Sequence, residues 1–263
     1  MAKGHFIITD ISGYTEFLTR AELEHAHDIL QSLFKAQMDE IKPPFVISSF
    51  RGDAIVMYIP DTSFIQPQSV IEALENLYIS FVSTLEQMQY HTTCNCRACK
   101  NMSLLDLKMV VHHGSYVVQQ MGDREELLGA DVIIPHRMLK NQVIEQTGIG
   151  PYALFSENAM EALQLHKFVS TLHDYKESYE HLGEVNMVVH DLSTAWKSEK
   201  DKRRKVITPE EAWVSYEAEI AAPPSLVWDY LTTPTLKAEL MGLDFAKRTD
   251  DLGGRIREEA EFH

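Results

Sequence analysis

The sequence predicts an α+β sandwich, with an antiparallel-rich sheet and helices packed against it. Two observations carry that prediction. Short apolar runs of strand length interleave with long stretches whose apolar residues recur at helical spacing. Hairpin turns occur among those strands, which a doubly wound parallel sheet would not contain.

Taken in order, Phe6, Ile7, Ile8 and Thr9 form a buried-strand run that Asp10 ends, and Gly13 with Thr15 turns the chain into a helix. A helix from about Glu22 to Ile41 carries Ala26, Leu30, Leu33, Phe34 and Ile41 on one stripe, and Pro43-Pro44 stop it. Phe45-Val46-Ile47 and Ala54 to Ile59 pair around the Gly52-Asp53 turn. A further helix, about Ser69 to Tyr90, sets Val70, Leu74, Leu77, Tyr78, Phe81 and Leu85 on one side. Leu105 to His112 alternates Asp106 and Lys108 with apolar neighbours, and Tyr116-Val117-Val118 after Gly114 reads as a hairpin-like return. A helix from about Ile133 to Ile144, a strand Tyr152 to Phe155, a short helix capped by Ser156 and a strand Val185 to His190 complete the unit.

Composition changes from Leu192 to Ala212, where Lys197 to Lys205 is almost entirely charged and reads as a solvated linker. From Trp213 onward Val214, Tyr216, Ala218 and Ile220 alternate, and Pro223-Pro224-Ser225 lead into a helix from Leu226 to Leu231. A second helix through Met241 and a strand pair around Gly253-Gly254 follow. The expected units are therefore 1–191, a linker 192–212, and 213–263.

With 263 residues, 44% hydrophobic and 24% charged, the chain has ample material for a globular core. A net charge of −15 argues against nonspecific nucleic-acid binding, which needs a basic face. A nucleotide remains admissible, because a divalent cation offsets local charge. No apolar run reaches the roughly 20 residues of a membrane span, and Met1 to His5 run straight into a strand without a signal peptide. The expectation is a cytoplasmic protein.

Two groups of residues carry chemistry. Asp10, at the end of a buried strand beside a helix start, is a seat for a hard cation and its phosphate ligand, or simply a helix cap. Asp53, in Ser49-Phe50-Arg51-Gly52-Asp53, supplies a second carboxylate, and two such strand ends brought together make a metal site. The other group is His91-Thr92-Thr93-Cys94-Asn95-Cys96-Arg97-Ala98-Cys99, which holds every cysteine of the chain. Cys94, Cys96, Cys99 and His91 offer four ligands for a structural Zn²⁺, with an iron–sulfur centre and a redox switch as alternatives. A structural disulfide does not suit a reducing compartment. His112 reads as core, and His25 and His27 as exposed helix residues.

Thr9-Asp10-Ile11-Ser12-Gly13-Tyr14-Thr15, then Phe50-Arg51-Gly52-Asp53-Ala54-Ile55, then Val111-His112-His113-Gly114 and Leu128-Gly129-Ala130-Asp131-Val132 through Arg137, resemble the motifs of class III nucleotidyl cyclase catalytic domains. The resemblance covers roughly residues 5 to 191. It implies a ferredoxin-like cyclase sandwich, and a homodimer that turns a nucleoside triphosphate into a 3′,5′-cyclic nucleotide and pyrophosphate. It further implies that Asp10, Asp53 and the Ile11 carbonyl hold Mg²⁺ or Mn²⁺, that the backbone of Ser12, Gly13, Tyr14 and Thr15 meets the phosphates, and that Arg137 steadies the transition state. The family's base-reading positions fall on Ser49 and Glu126. Its ribose asparagine falls on Ile133, and its late lysine is missing near Glu180 to Gly183, although Lys176 and His181 lie close. Lys140 and Asn141, one turn past Arg137, are candidate substitutes. These departures imply either an atypical cyclase or a degenerate nucleotide- or metal-sensing module. The tail resembles the opening of a START-like, helix-grip domain, whose family binds hydrophobic ligands. The arrangement is similar to that of uncharacterised bacterial proteins.

Overall fold

The structure is a computed structural model and describes residues 1–63, 66–122, 124–167, 169, 171–179, 183–204, 207, 208, 210–243 and 254–256. Strand β1 (Ala2–Ser12) leads through Gly13 into helix α1 (Tyr14–Arg20), and α2 (Leu23–Glu40) follows. The hairpin β2 (Val46–Arg51) and β3 (Ala54–Pro60) turns at Gly52, whose φ of 64° favours glycine. Helix α3 (Pro67–His91) starts with proline in its first turn and buries the stripe from Val70 to Leu85. A loop, the short helix α4 (Arg97–Lys100) and a helical turn at Met102–Leu104 carry the chain to β4.

Strand β4 (Asp106–Met121) runs unbroken through Gly114, so the expected hairpin-like return at that glycine does not form. Gly114 serves a different purpose. A Cβ there would collide with the Asp131 side chain, whose Oδ2 accepts the Ser115 N–H at 2.6 Å. The return comes later, in β5 (Arg124–Leu128), which pairs with the outer half of β4.

The expected helix from Ile133 to Ile144 is two helices, α5 (Ala130–Met138) and α6 (Val143–Thr147). Asn141 separates them. Its side-chain nitrogen donates to the Met138 carbonyl at 2.6 Å, and its oxygen accepts the Val143 N–H at 3.1 Å and the Tyr152 hydroxyl at 2.9 Å. Strand β6 (Tyr152–Ser156) and helix α7 (Glu157–Leu163) follow as expected, with the Ser156 hydroxyl accepting the Ala159 N–H. The remaining strands are β7 (His173–Tyr179), which the sequence reading did not anticipate, and β8 (Gly183–Asp191).

The sheet has eight strands in the order β2-β3-β1-β4-β6-β8-β7, with β5 beside β4. Only β4 and β6 are parallel among these pairs. Alternation along each strand sends its residues to two cores. Ile7, Met57, Met109 and Phe155 face α2, α3 and α7, whereas Ile8, Val56, Val110 and Leu154 face Met138 and Val143 of α5 and α6.

The stretch expected as a solvated linker begins with helix α8 (Ser193–Arg203). It docks on α3 through Glu86, which accepts from the Trp196 ring nitrogen at 3.1 Å and from Lys200 at 2.9 Å. In the tail, Val214 to Ile220 form no strand, while α9 (Pro224–Thr232) and α10 (Pro234–Leu240) form the two expected helices. The alternation there has no partner strand among the described residues, so apolar residues such as Val214 and Tyr216 stay exposed. Of the expected strand pair, Gly253 lies outside the described residues, and the Arg255 N–H donates to the His91 carbonyl at 2.7 Å.

Candidate active site

Asp10 is the last residue of β1 to pair with β3, opposite Ala54, and on its other side it stands opposite Lys108 of β4. Lys108 Nζ lies 3.1 Å from Asp10 Oδ2, with both side chains less than a quarter exposed. Asp53 closes the β2–β3 turn immediately before Ala54, so sheet register brings it to Asp10. Its carboxyl is pushed above the usual range by burial and then by the Asp10 charge, against which Lys108 works. The two acids separated in sequence thus share one electrostatic site. Lys108 is its third member, and only the cross-strand register reveals it. The donor set suits a hard divalent ion: two carboxylates, one of them destabilised as an anion by burial and by its neighbour. Ile11 continues β1 past the last β3 pair while still opposite Leu107.

The turn after β1 is fixed by close packing. Gly13 has a φ of 77°, and a Cβ there would strike the Leu104 carbonyl. Ser12 ends β1 before it, and Tyr14 and Thr15 begin α1 after it. Ser49 lies on β2 at a register shift in the β2–β3 pairing, and Glu126 lies exposed on β5, a strand that approaches β2.

Arg137 sits half-buried in the last turn of α5. The helix is anchored to β4 by the Asp131–Ser115 bond and by the close approach of Gly129 to the Ser115 carbonyl. The neighbouring His136 is held below its usual pKa by burial and by Arg51 of the β2–β3 hairpin, which places this end of α5 near that turn. Ile133 is exposed. Of the candidate substitutes, Lys140 is exposed, while Asn141 is committed to the α5–α6 joint by its three internal hydrogen bonds, so it is corrected from ligand residue to joint. Lys176 pairs with Glu184 at 3.4 Å, and Glu180 and His181 lie outside the described residues.

His112 is buried, with Nδ1 2.7 Å from the Ser156 hydroxyl, and burial lowers its pKa to about 4. At the far end of β1, His5 and His113 gather around Asp61, with His113 Nε2 3.1 Å from the Asp61 carboxylate. The cysteine cluster differs from expectation in one ligand. The residue whose ligand atom converges with Cys94, Cys96 and Cys99 is His25 of α2, whereas His91 remains on the last turn of α3. The physical reason is packing: α2 lies along the loop that carries the cysteines, and His25 faces that loop.

The fold has counterparts of known structure. The guanylyl cyclase Cya2 superposes with a TM-score of 0.55 at 15% identity, over 72% of this chain and 93% of that one. A bacterial light-regulated adenylyl cyclase gives 0.52 at 11% identity, over 76% and 97%. The guanylate cyclase domain of RhGC from Catenaria anguillulae, in complex with GTP, gives 0.50 at 14%, over 72% and 95%. The fold is that of nucleotidyl cyclase catalytic domains. Within this cyclase fold, residues 27–147 match a family model described only as a protein of unknown function, DUF2652. The uncharacterized protein Rv2561/Rv2562 of Mycobacterium tuberculosis is 29% identical over 154 residues, 57% of this chain and 67% of that protein. No helix among the described residues is long and apolar enough to cross a membrane.

Proposed function

We propose that this chain is a metal-dependent nucleotidyl cyclase-like protein that converts a nucleoside triphosphate into a 3′,5′-cyclic nucleotide and pyrophosphate. The observation that carries the reading is the shared electrostatic site of Asp10 and Asp53 in a cyclase fold. Asp10, Asp53 and the Ile11 carbonyl would hold Mg²⁺ or Mn²⁺, which when bound lowers the pKa of the attacking hydroxyl and offsets the triphosphate charge. Backbone amides from Ser12 to Thr15 orient the phosphates, and the fork of Arg137 meets charge developing on the α-phosphoryl oxygens. Ser49 and Glu126 face the base, with Lys140 the remaining candidate for contacts that Ile133 does not make. Lys108 balances Asp10 until the phosphates arrive.

The active unit is a homodimer. Phe50, Val117, Val118, Leu128 and Ile133 are exposed apolar residues on the β2–β3 and β4–β5 hairpins and the start of α5, a surface suited to a second copy. The tail from Trp213 belongs, in this reading, to a separate START-like portion.

A second reading has one specific observation in its favour. The close, shielded Lys108–Asp10 pair already supplies a cation to the site, as a module that senses nucleotides without turning them over would tolerate. Incubation of the full chain with Mn²⁺ and each of the four ribonucleoside triphosphates separates the two. Cyclic product that disappears in Asp10→Ala and Asp53→Ala supports the enzyme. Nucleotide binding without product from any of the four supports the sensor.

A further inference from the structure

We propose that Cys94, Cys96, Cys99 and His25 hold one zinc ion in a closed structural site that ties α2 to the loop between α3 and β4. His25 Nδ1 lies 3.2 Å from Cys96 Sγ, 3.5 Å from Cys94 Sγ and 3.7 Å from Cys99 Sγ. All four ligand atoms lie within 4.8 Å of one another. A tetrahedral ion with zinc–sulfur bonds of about 2.3 Å and a zinc–nitrogen bond of about 2.0 Å sets its nitrogen and sulfur ligands about 3.5 Å apart. The three separations straddle that value. They describe the shell of a single ion.

The thiols are unpaired with one another and partly exposed, so each is available as a ligand. Backbone amides support the sulfurs: the Cys96 N–H donates to Cys94 Sγ at 3.5 Å, and the Cys99 N–H donates to Cys96 Sγ at 3.3 Å. Such bonds orient thiolates and spread their charge. Three thiolates and one imidazole make a complete four-ligand set, which selects zinc over hard ions such as magnesium and calcium. An iron–sulfur cluster ordinarily takes four thiolates, and this chain has three cysteines.

The two sides of the site are also docked without the ligands. Glu22, one turn before His25, accepts from Arg97 Nε at 3.1 Å and from the Ala98 N–H at 3.0 Å. The ion would therefore close a site whose walls already stand together. Its mechanical reach extends to the turn after Asp10. The loop leaving Cys99 ends at Leu104, whose carbonyl abuts Gly13. Zinc at this position steadies that abutment whether or not the chain cyclises a nucleotide.

The full chain, produced without a histidine tag in zinc-supplemented medium and kept reduced, should carry about one zinc per molecule by mass spectrometric metal analysis. Displacement by an organomercurial should release the zinc as the three thiols titrate. Cobalt(II) in its place should give the intense visible bands of a tetrahedral ion and a thiolate charge-transfer band in the near ultraviolet. His25→Ala should shift those bands and weaken cobalt binding by at least the roughly tenfold seen when a ligand merely loses its supporting contact. His91→Ala should change neither. Substoichiometric zinc with all thiols free, an iron–sulfur chromophore, or bands that answer to His91→Ala and ignore His25→Ala would overturn the proposal.

Discussion

At the scale of single residues, the acidic site behaves as a balance of three charges. Lys108 offsets Asp10 directly and Asp53 at longer range, so losing it leaves two carboxylates facing each other. Lys108→Met is expected to cost about 1–3 kcal/mol in urea unfolding without divalent ions, as stranding a shielded charged partner does. It should also push the Asp53 pKa further up, read from its side-chain carbon signal by NMR. Added Mn²⁺ should recover much of the lost stability. His112 makes a separate prediction. Burial holds its folded pKa at about 4, below the ordinary 6.5 of a histidine, so the unfolded chain takes the proton first as pH falls. Its contribution to stability is complete above pH 6.5 and is lost between there and 4. Asp106, raised to about 6 by burial, works in the opposite direction. The difference between the native chain and His112→Asn isolates the histidine, and stability should fall less steeply with acid in the variant. Asp10 and Asp53 were legible as a pair from their motifs. Lys108 and His25 were not: one depends on strand register, and the other stands 71 positions from Cys96.

At the scale of elements, the joint between α5 and α6 fixes the end of the helix that carries Arg137. Asn141→Ala removes three hydrogen bonds there and is expected to destabilise the fold by about 1–3 kcal/mol, with weaker effects on strands remote from Tyr152 by hydrogen exchange. Gly114→Ala should cost about 1–3 kcal/mol by forcing Asp131 off its Ser115 amide. The long elements were legible because their periodicity is strong: β1, the β2–β3 hairpin, α2, α3 and the Ser156-capped α7 all appear. Gly114 and β7 defeated the pattern for different reasons. Gly114 resembles a turn signal, but it makes room for a side chain from elsewhere in the sequence. β7 is an edge strand, His173–Tyr179, whose residues are mostly polar and exposed, so it offers no apolar alternation to read.

At the scale of the whole molecule, the sheet brings the carboxylates to one end of β1, and the site as proposed is completed by a second copy. Phe50→Asp together with Val118→Asp should shift the chain from dimer to monomer in light scattering and remove any cyclase activity, while leaving the zinc content unchanged. The charged stretch shows why composition alone misleads at this scale: α8 is mostly polar, yet Trp196 and Lys200 fasten it to Glu86 of α3. The most direct test of the account is Mn²⁺ binding to the full chain, followed by electron paramagnetic resonance in the presence of a non-hydrolysable nucleoside triphosphate. The account predicts a bound-manganese signal in the native chain and in His25→Ala, and its loss in both Asp10→Ala and Asp53→Ala. An identical signal in all four proteins, or none in the native chain, would contradict it.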